Sequence, residues 1–551
     1  MYAEGVAPMT YRKKLIEVAL PLKAMNEASI REKSIRHGHP STLHLWWSRK
    51  PLATCRAILF ASLVDDPSAH PEEFPTEQHQ ERERLRLFQL MEQLIIWENS
   101  SNQEILAKAR VEILKSTNGN PPPVLDPFCG GGSIPLEAQR LGLEVHGSDL
   151  NPVAVLISKA LFEIPPKFAG CTPVNPEAKQ SLMGRDWHRA QGLADDIRYY
   201  GKWMRDEAER RIGDLYPKIK LPNEYGSGEA TVIAWLWVRT VRCPNPACSV
   251  QMPLTSKWWL SKKKGKESWV EPLVNHAVTP SGIHFTVKAG KEEPQAGTVN
   301  KQGAICIACK NTVPFDHIRS EGKAGRMNAQ LIAIVAEGQH GRVYLSPNEE
   351  HTVISRQVNP KNAPETDLPV QALGFRVQLY GMVKHRDLFT PRQLTALTAF
   401  SDLVQEAREK VITDAKVNGL SVNNTSLKNS GFSAIAYADA VATYLAIAVD
   451  RLVDKSSTIC AWDVTRDNLG HTFARQAIPV VWDFGEANPL SNSGGNFQGA
   501  VTWVAEVIEQ SSCAATGEAT QRDASETAVD YTRPLISTDP PYYDNIGYVV
   551  M

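Results

Sequence analysis

The chain has 551 residues, with 60 Lys and Arg against 61 Asp and Glu, for a net charge of −1. That length exceeds one ordinary core, so two to four domains are expected, and the balanced charge excludes a uniformly basic nucleic-acid binder, leaving any such contact to local patches. No run approaches the roughly 18 to 20 apolar residues that span a bilayer, and Met1 to Lys14 lacks a signal-peptide core, so a cytoplasmic protein without a membrane partner is expected. Nine cysteines, five scattered and four in two close pairs, suit a reducing compartment with a metal site better than a disulfide framework.

The first 115 residues read as helical, with periodic apolar positions in Lys14 to Ala24, Ala53 to Leu63 and Leu85 to Trp97. The turn-forming NGNPPP at Asn118 to Pro123 ends this helical N-terminal domain. Val124 to Phe128 is then a short strand, Ile134 to Leu141 a helix and Glu144 to Ser148 a second strand, so residues 116–165 form a strand, helix, strand unit. From 166 to 515 the alternation is lost. This region is expected to be an insertion with structure of its own, holding a helix near Asp186 to Asp214, a strand-rich cysteine-bearing part at about 240–312 and a helical part at about 385–510. Strand patterns return at Glu518 to Ser525 and Pro534 to Thr538.

The segment VLDPFCGGGSIPLEAQRLGLEVHGSDLNP, residues 124–152, carries the parts that a nucleoside cofactor needs. Gly130, Gly131 and Gly132 let the backbone turn tightly and approach a ligand at a helix N-terminus, and Asp149 lies 17 residues beyond Gly132, at the end of the second strand, where a carboxylate can accept from both ribose hydroxyls. The spacing is not G-x-G-x-x-G, so a dinucleotide is not indicated. With Asp126 and Phe128 as lead-in, the loop resembles motif I of the amino-methyltransferases, in which the strand-end acid faces the cationic methionine portion of S-adenosyl-L-methionine. Cys129, inside the loop, has no base or oxyanion device beside it in the sequence and is not expected to be a nucleophile.

Asp539-Pro540-Pro541-Tyr542 follows the apolar strand; its place at a strand end, in a chain that also has the glycine loop, gives the match its weight, and the chemistry explains its residue types. An exocyclic base amine is a poor nucleophile because its lone pair is delocalised into the ring. Asp539 can accept one amino hydrogen and the Pro540 carbonyl the other, the prolines stiffen the two acceptors into convergence, and Tyr542 offers a stacking face to a base swung out of the helix. Asp523, in ATQRDAS, is expected either to contact the cofactor adenine or to be a solvated loop acid.

Glycine loop, long insertion and DPPY, in that order, resemble the amino-DNA methyltransferases. The stretch REKSIRHGHPSTLHLWWSRKPLATCRAILFASLVDDP, residues 31–67, is similar to the opening domain of the large adenine-specific DNA methylases containing a zinc ribbon, a family of phage-defence islands of the DISARM and BREX kinds. That resemblance implies an α/β fold: a Rossmann-like methyltransferase sheet with a helical N-terminal domain and a large inserted zinc-ribbon and helical region. It also implies N6-adenine methylation of double-stranded DNA that marks host DNA as self, with other proteins of a defence complex as partners. The chemistry alone leaves N4-cytosine open. An RNA amino-methyltransferase and a DNA-binding subunit without activity are the alternatives. Gln476 to Leu490 (QAIPVVWDFGEANPL) falls within the resemblance without a physical account.

Cys243-x4-Cys248 and Cys306-x2-Cys309 make two knuckles of a four-cysteine structural zinc site, although the 57 residues between them exceed the usual spacing. Between the knuckles, KWWLSKKKGKESW alternates cations and indoles, so Trp258, Lys262, Lys263 and Lys264 are candidate DNA contacts, with a solvated hairpin over a buried tryptophan face as the alternative. Trp46, Trp47, Arg49 and Lys50, beside His37, His39 and His44, are read as a phosphate-contacting or cofactor-covering helix start in preference to a metal site. The sequence stops nine residues beyond Tyr542, which predicts a sheet incomplete at its C-terminal side, a polypeptide poorly soluble or inactive alone, and a longer gene product.

Overall fold

The computed structural model describes residues 11–178, 186–275, 282–370, 374–421, 427, 433–474, 477–527 and 533–540. The chain divides into two compact units: Met1–Ile197, Asp414–Thr443 and Trp503–Ile546 form the first, and Arg198–Thr413, Tyr444–Thr502 and Gly547–Met551 the second. The helical N-terminal segment and the strands of residues 124–149 thus share one unit. No helix among the described residues is long and apolar enough to cross a membrane.

The first unit opens with four helices, α1 (Leu22–Glu32), α2 (Leu52–Leu63), α3 (Glu77–Leu94) and α4 (Gln103–Ser116). α3 is amphipathic, burying Leu87, Leu90, Met91 and Leu94 at the spacing of one helix face, and Thr76 caps its start by accepting from the His79 N–H. α2 (LATCRAILFASL) is apolar nearly all round and is buried on nearly all sides, as its composition requires.

The sheet of this unit has four parallel strands: β1 (Val124–Asp126), β2 (Val145–Asp149), β3 (Gly517–Gln521) and β4 (Leu535–Ile536), in the spatial order β3-β2-β1-β4. Helix α5 (Ser133–Arg140) joins β1 to β2, and α6 (Pro152–Ser158) follows β2. β1 is buried at every position, as a strand covered on both faces must be. The order reverses at β1, so the carboxyl ends of β1, β2 and β4 converge where open α/β sheets bind ligands. Among the described residues β4 pairs on one side only, with β1.

Helix α5 is fastened to the N-terminal helices by a buried ionic triad. Arg56 of α2 donates to Glu137 at 2.5 Å and to the Leu94 carbonyl, Arg140 pairs with the same carboxylate, and the Arg140 guanidinium lies 5.4 Å from the Trp97 ring centre. A second buried acid, Asp196, accepts from the Val174 and Asn175 backbone N–H groups, the Asn175 side chain and the Tyr437 hydroxyl, and burial pushes it up to about 6.

The second unit holds a five-stranded antiparallel sheet, ordered Gly341–Leu345, Asn328–Gly338, Val232–Arg242, Asp483–Ala487, with Gln251–Leu254 also paired to Val232–Arg242. Within the described part of the segment from Gln476 to Leu490, residues 477–490, Asp483–Ala487 is a strand. Its strand pairs Glu486 opposite Trp235, and the buried Glu486 carboxylate accepts from Nε and Nη2 of Arg392, from Trp237 and from the Thr390 hydroxyl. The Arg392 guanidinium stacks 3.9 Å from the Trp235 ring centre, so a buried charge is satisfied on all sides.

Candidate functional site

The loop after β1 is shaped by its three glycines. Gly130 and Gly132 have φ of 49° and 72°, in the left-handed region, and a Cβ on Gly130 or Gly131 would lie 2.8 or 3.1 Å from the Trp46 indole. A Cβ on Gly132 would meet the Ser158 hydroxyl at 3.1 Å. The chain then enters α5 directly, with Gly132 as its N-cap.

Both strand-end acids are held by backbone. Asp126, 1% exposed, accepts from the Phe128 N–H and from the Thr538 hydroxyl at 2.7 Å. Burial pushes its carboxyl up to about 7, those two donors opposing and the Asp149 charge adding to the rise. Asp149 accepts from the Gly130 N–H on one oxygen and the Asn151 N–H on the other, both at 2.9 Å. Each oxygen keeps a lone pair, so the carboxylate can still accept two hydroxyls. Phe128 is exposed beside the loop, whereas Cys129 is buried and its thiol is raised far above the usual range by burial. A thiol so raised is a poor nucleophile.

Asp539 begins the DPPY tetrapeptide at the carboxyl end of β4, one residue beyond Thr538, with Pro540 exposed next to it. Pro541 and Tyr542 lie outside the described residues. The Thr538 bond to Asp126 ties the tetrapeptide strand to the glycine-loop strand across more than 400 residues of sequence. Asp539 also pairs with the Lys50 ammonium.

That pair alters the reading of the first basic cluster. Lys50 is directed at an acid at the sheet's end, Arg49 donates to the Pro40 and His44 carbonyls, Trp46 is 8% exposed and lies on the glycine loop, and Trp47 is half-buried. The Trp46 indole is thus packed on the glycine loop and the Arg49 guanidinium braces its own loop. The histidines do not converge on one point. His39 packs at a tilt against Trp97, His37 faces Glu506 and His44 bonds the Leu45 carbonyl. Asp523 follows β3 and is exposed, its carboxylate bonded to the N–H and hydroxyl of Ser525, an arrangement that starts a short helix and holds the carboxyl below its ordinary value.

In the second unit the four cysteines Cys243, Cys248, Cys306 and Cys309 bring their sulfurs within 4.8 Å of one another. Two of the separations are 3.7 and 3.9 Å, against about 3.8 Å for a tetrahedron of thiolates around zinc. Each knuckle turns through a left-handed residue just after its second cysteine, Ser249 (φ 49°) and Lys310 (φ 63°). The group can hold a metal ion. The neighbouring KWWLSKKKGKESW folds as two paired strands, Trp259–Ser261 and the start of Ser268–Asn275, with the lysines on the exposed turn. Trp258 is 1% exposed and donates to the Ala296 carbonyl, so it is a core residue and its reading as a DNA contact is corrected. Trp258, just before the strand, faces inward while Trp259 stays half-exposed under Lys262, 5.2 Å from its ring centre. Lys263 pairs with Asp467 at 2.9 Å, and Lys264 is exposed.

Residues 19–90 match a family model described as a protein of unknown function, DUF1156. No curated protein and no solved structure matches the chain. The matched segment contains α1, α2 and most of α3, and with them Trp46, Lys50 and Arg56.

Proposed function

We propose that the chain is an S-adenosylmethionine-dependent methyltransferase acting on the exocyclic amino group of a DNA base, with adenine N6 as the target that the resemblance implies. The observation that carries this reading is the convergence of the glycine loop, Asp149 and Asp539 at the carboxyl ends of adjacent parallel strands, with Thr538 bonded to Asp126 across the seam.

The residues present fit the cofactor. The Trp46 indole covers the Cβ side of Gly130 and Gly131 at the start of α5, and Asp149 is held with acceptor capacity for the ribose hydroxyls. A cation beside buried Asp126 would draw off its proton and recover the ion-pair energy. When bound, the cofactor would supply a methyl group on positively charged sulfur; forming the N–C bond would leave the S–C pair on sulfur, and the surplus proton of the amine would pass to Asp539 or to water. Asp539 accepts an amino hydrogen and the Pro540 carbonyl the other, so the nitrogen lone pair is freed and aimed. The four cysteines would hold a structural zinc ion that crosslinks the two knuckles, with no open position for chemistry. The lysines of the exposed turn would meet phosphates.

The test is transfer of label from S-adenosylmethionine to duplex DNA, with bulk RNA in parallel. Asp539→Ala is expected to reduce transfer by roughly 10²- to 10³-fold or more while cofactor binding persists. Equal loss of cofactor binding would make Asp539 a structural acid, and label entering RNA alone would end the DNA reading.

A further inference from the structure

We propose that the DUF1156 segment forms a working wall of the transfer site, and that Lys50 is the positioning residue for Asp539. The inference rests on the methyltransferase reading and adds a component to it.

Lys50 is anchored on both sides. Before it, Arg49 is fastened to the carbonyls of Pro40 and His44. After it, Pro51 leads into α2, whose first two N–H groups, from Leu52 and Ala53, are taken by the Glu32 carboxylate at 3.0 and 3.1 Å. One turn further on, Arg56 locks α2 to Glu137 of α5, the helix that follows the glycine loop. The ammonium is therefore presented from a braced backbone and differs from a swinging surface lysine.

Its partner is equally fixed. Asp539 follows Thr538, whose hydroxyl is bonded to Asp126. The two side chains are 28% and 25% exposed, so the pair is shielded more than a surface bridge. The ammonium approaches Oδ2 of Asp539. A carboxylate has two oxygens and about four acceptor sites, so Oδ1 remains for the amino hydrogen of the base. The lysine fixes the carboxylate's rotamer and offsets its charge at a sheet end that already carries Asp126 and Asp149.

Four residues earlier, Trp46 lies on Gly130 and Gly131. One short stretch of the matched family segment thus touches both the glycine loop and the catalytic acid. This assigns the segment a place in catalysis that its description leaves open.

The experiment compares the native protein with Lys50→Met and Lys50→Arg in methyl transfer to duplex DNA, alongside equilibrium binding of S-adenosylmethionine and of DNA. Lys50→Met is expected to lower kcat about 100-fold, the scale of a misplaced catalytic group, with the cofactor KM and DNA affinity unchanged, and Lys50→Arg to regain part of the rate. A phosphate-contacting lysine would instead weaken DNA binding, reduce its salt dependence and spare kcat, and that result overturns the proposal. Amine labelling read by mass spectrometry supplies a measurement that does not require the Lys50 variants to fold. Lys50 should become more reactive in Asp539→Asn than in the native chain, and equal reactivity overturns the pair. If Lys50→Met matches an active wild type, the role of Lys50 fails alone. If the folded wild type labels no nucleic acid, the methyltransferase reading fails and takes that role with it.

Discussion

At the scale of single residues, Asp126 shows why burial matters more than residue type. Its carboxyl is pushed up to about 7 by desolvation, against an ordinary 3.8. A raised acid contributes stability in its neutral form that is fully present below the unfolded value and lost as pH rises through the folded one, so ionising Asp126 weakens the first unit between about pH 4 and pH 7 by a few kcal/mol. Asp126→Asn retains an oxygen for the Phe128 and Thr538 donors. Relative to wild type, it is expected to gain thermal stability on going from pH 5 to pH 8; thermal melts of both proteins across that range, showing parallel pH profiles, would remove Asp126 as the cause. The identity of this residue was legible in the sequence because a strand, a glycine loop and an acid stood in order. Its protonation was not, because that depends on burial by the folded chain, which the Thr538 hydroxyl, more than 400 positions away in sequence, only partly offsets. The same distance hid the Lys50 partner of Asp539, whereas Trp258 was misread because alternating indoles and cations look alike whether the ring faces water or core.

At the scale of elements, local pattern foretold most helices and the short parallel strands. The periodic apolar run in Ala53 to Leu63 became α2, and Ile134 to Leu141 became α5 within one residue at each end. What pattern could not convey is how elements are joined. The Arg56, Glu137 and Arg140 triad joins α2 to α5 through one buried carboxylate between two guanidiniums. Glu137→Ala leaves both cations buried and is expected to destabilise the first unit by about 3 to 5 kcal/mol, read as a lower denaturation midpoint. Replacing all three by apolar residues of similar volume should recover most of that loss, and failure to recover would show that the triad sets the packing angle as well as the charge balance. Glu486 plays the corresponding part in the second unit, which explains a segment whose sequence alone offered no reason for an acid amid apolar residues.

At the scale of the whole molecule, the candidate sites are distributed between two units: the parallel sheet and its acids lie in the first, the cysteine tetrad in the second. One zinc ion per chain is expected by metal analysis, and chelation should lower the stability of the second unit while leaving cofactor affinity of the first intact; an unchanged melting profile after verified metal removal would take away the structural role. The two knuckles and their closure into one four-cysteine group were legible from spacing despite the 57 residues between them, whereas the strands that return Cys306 to Cys243 were not, because they carry no cysteine signal of their own. The order β3-β2-β1-β4 has one more consequence, which concerns synthesis. Roughly 370 residues separate β2 from β3, so at about 5 to 20 residues per second a ribosome needs on the order of 20 to 70 seconds to supply the missing neighbours. During that interval β1 and β2 lack both flanking strands, while α2, already made, can close on α5 through Arg56. The N-terminal helices would then serve as a built-in chaperone for a half-made sheet before they serve anything else.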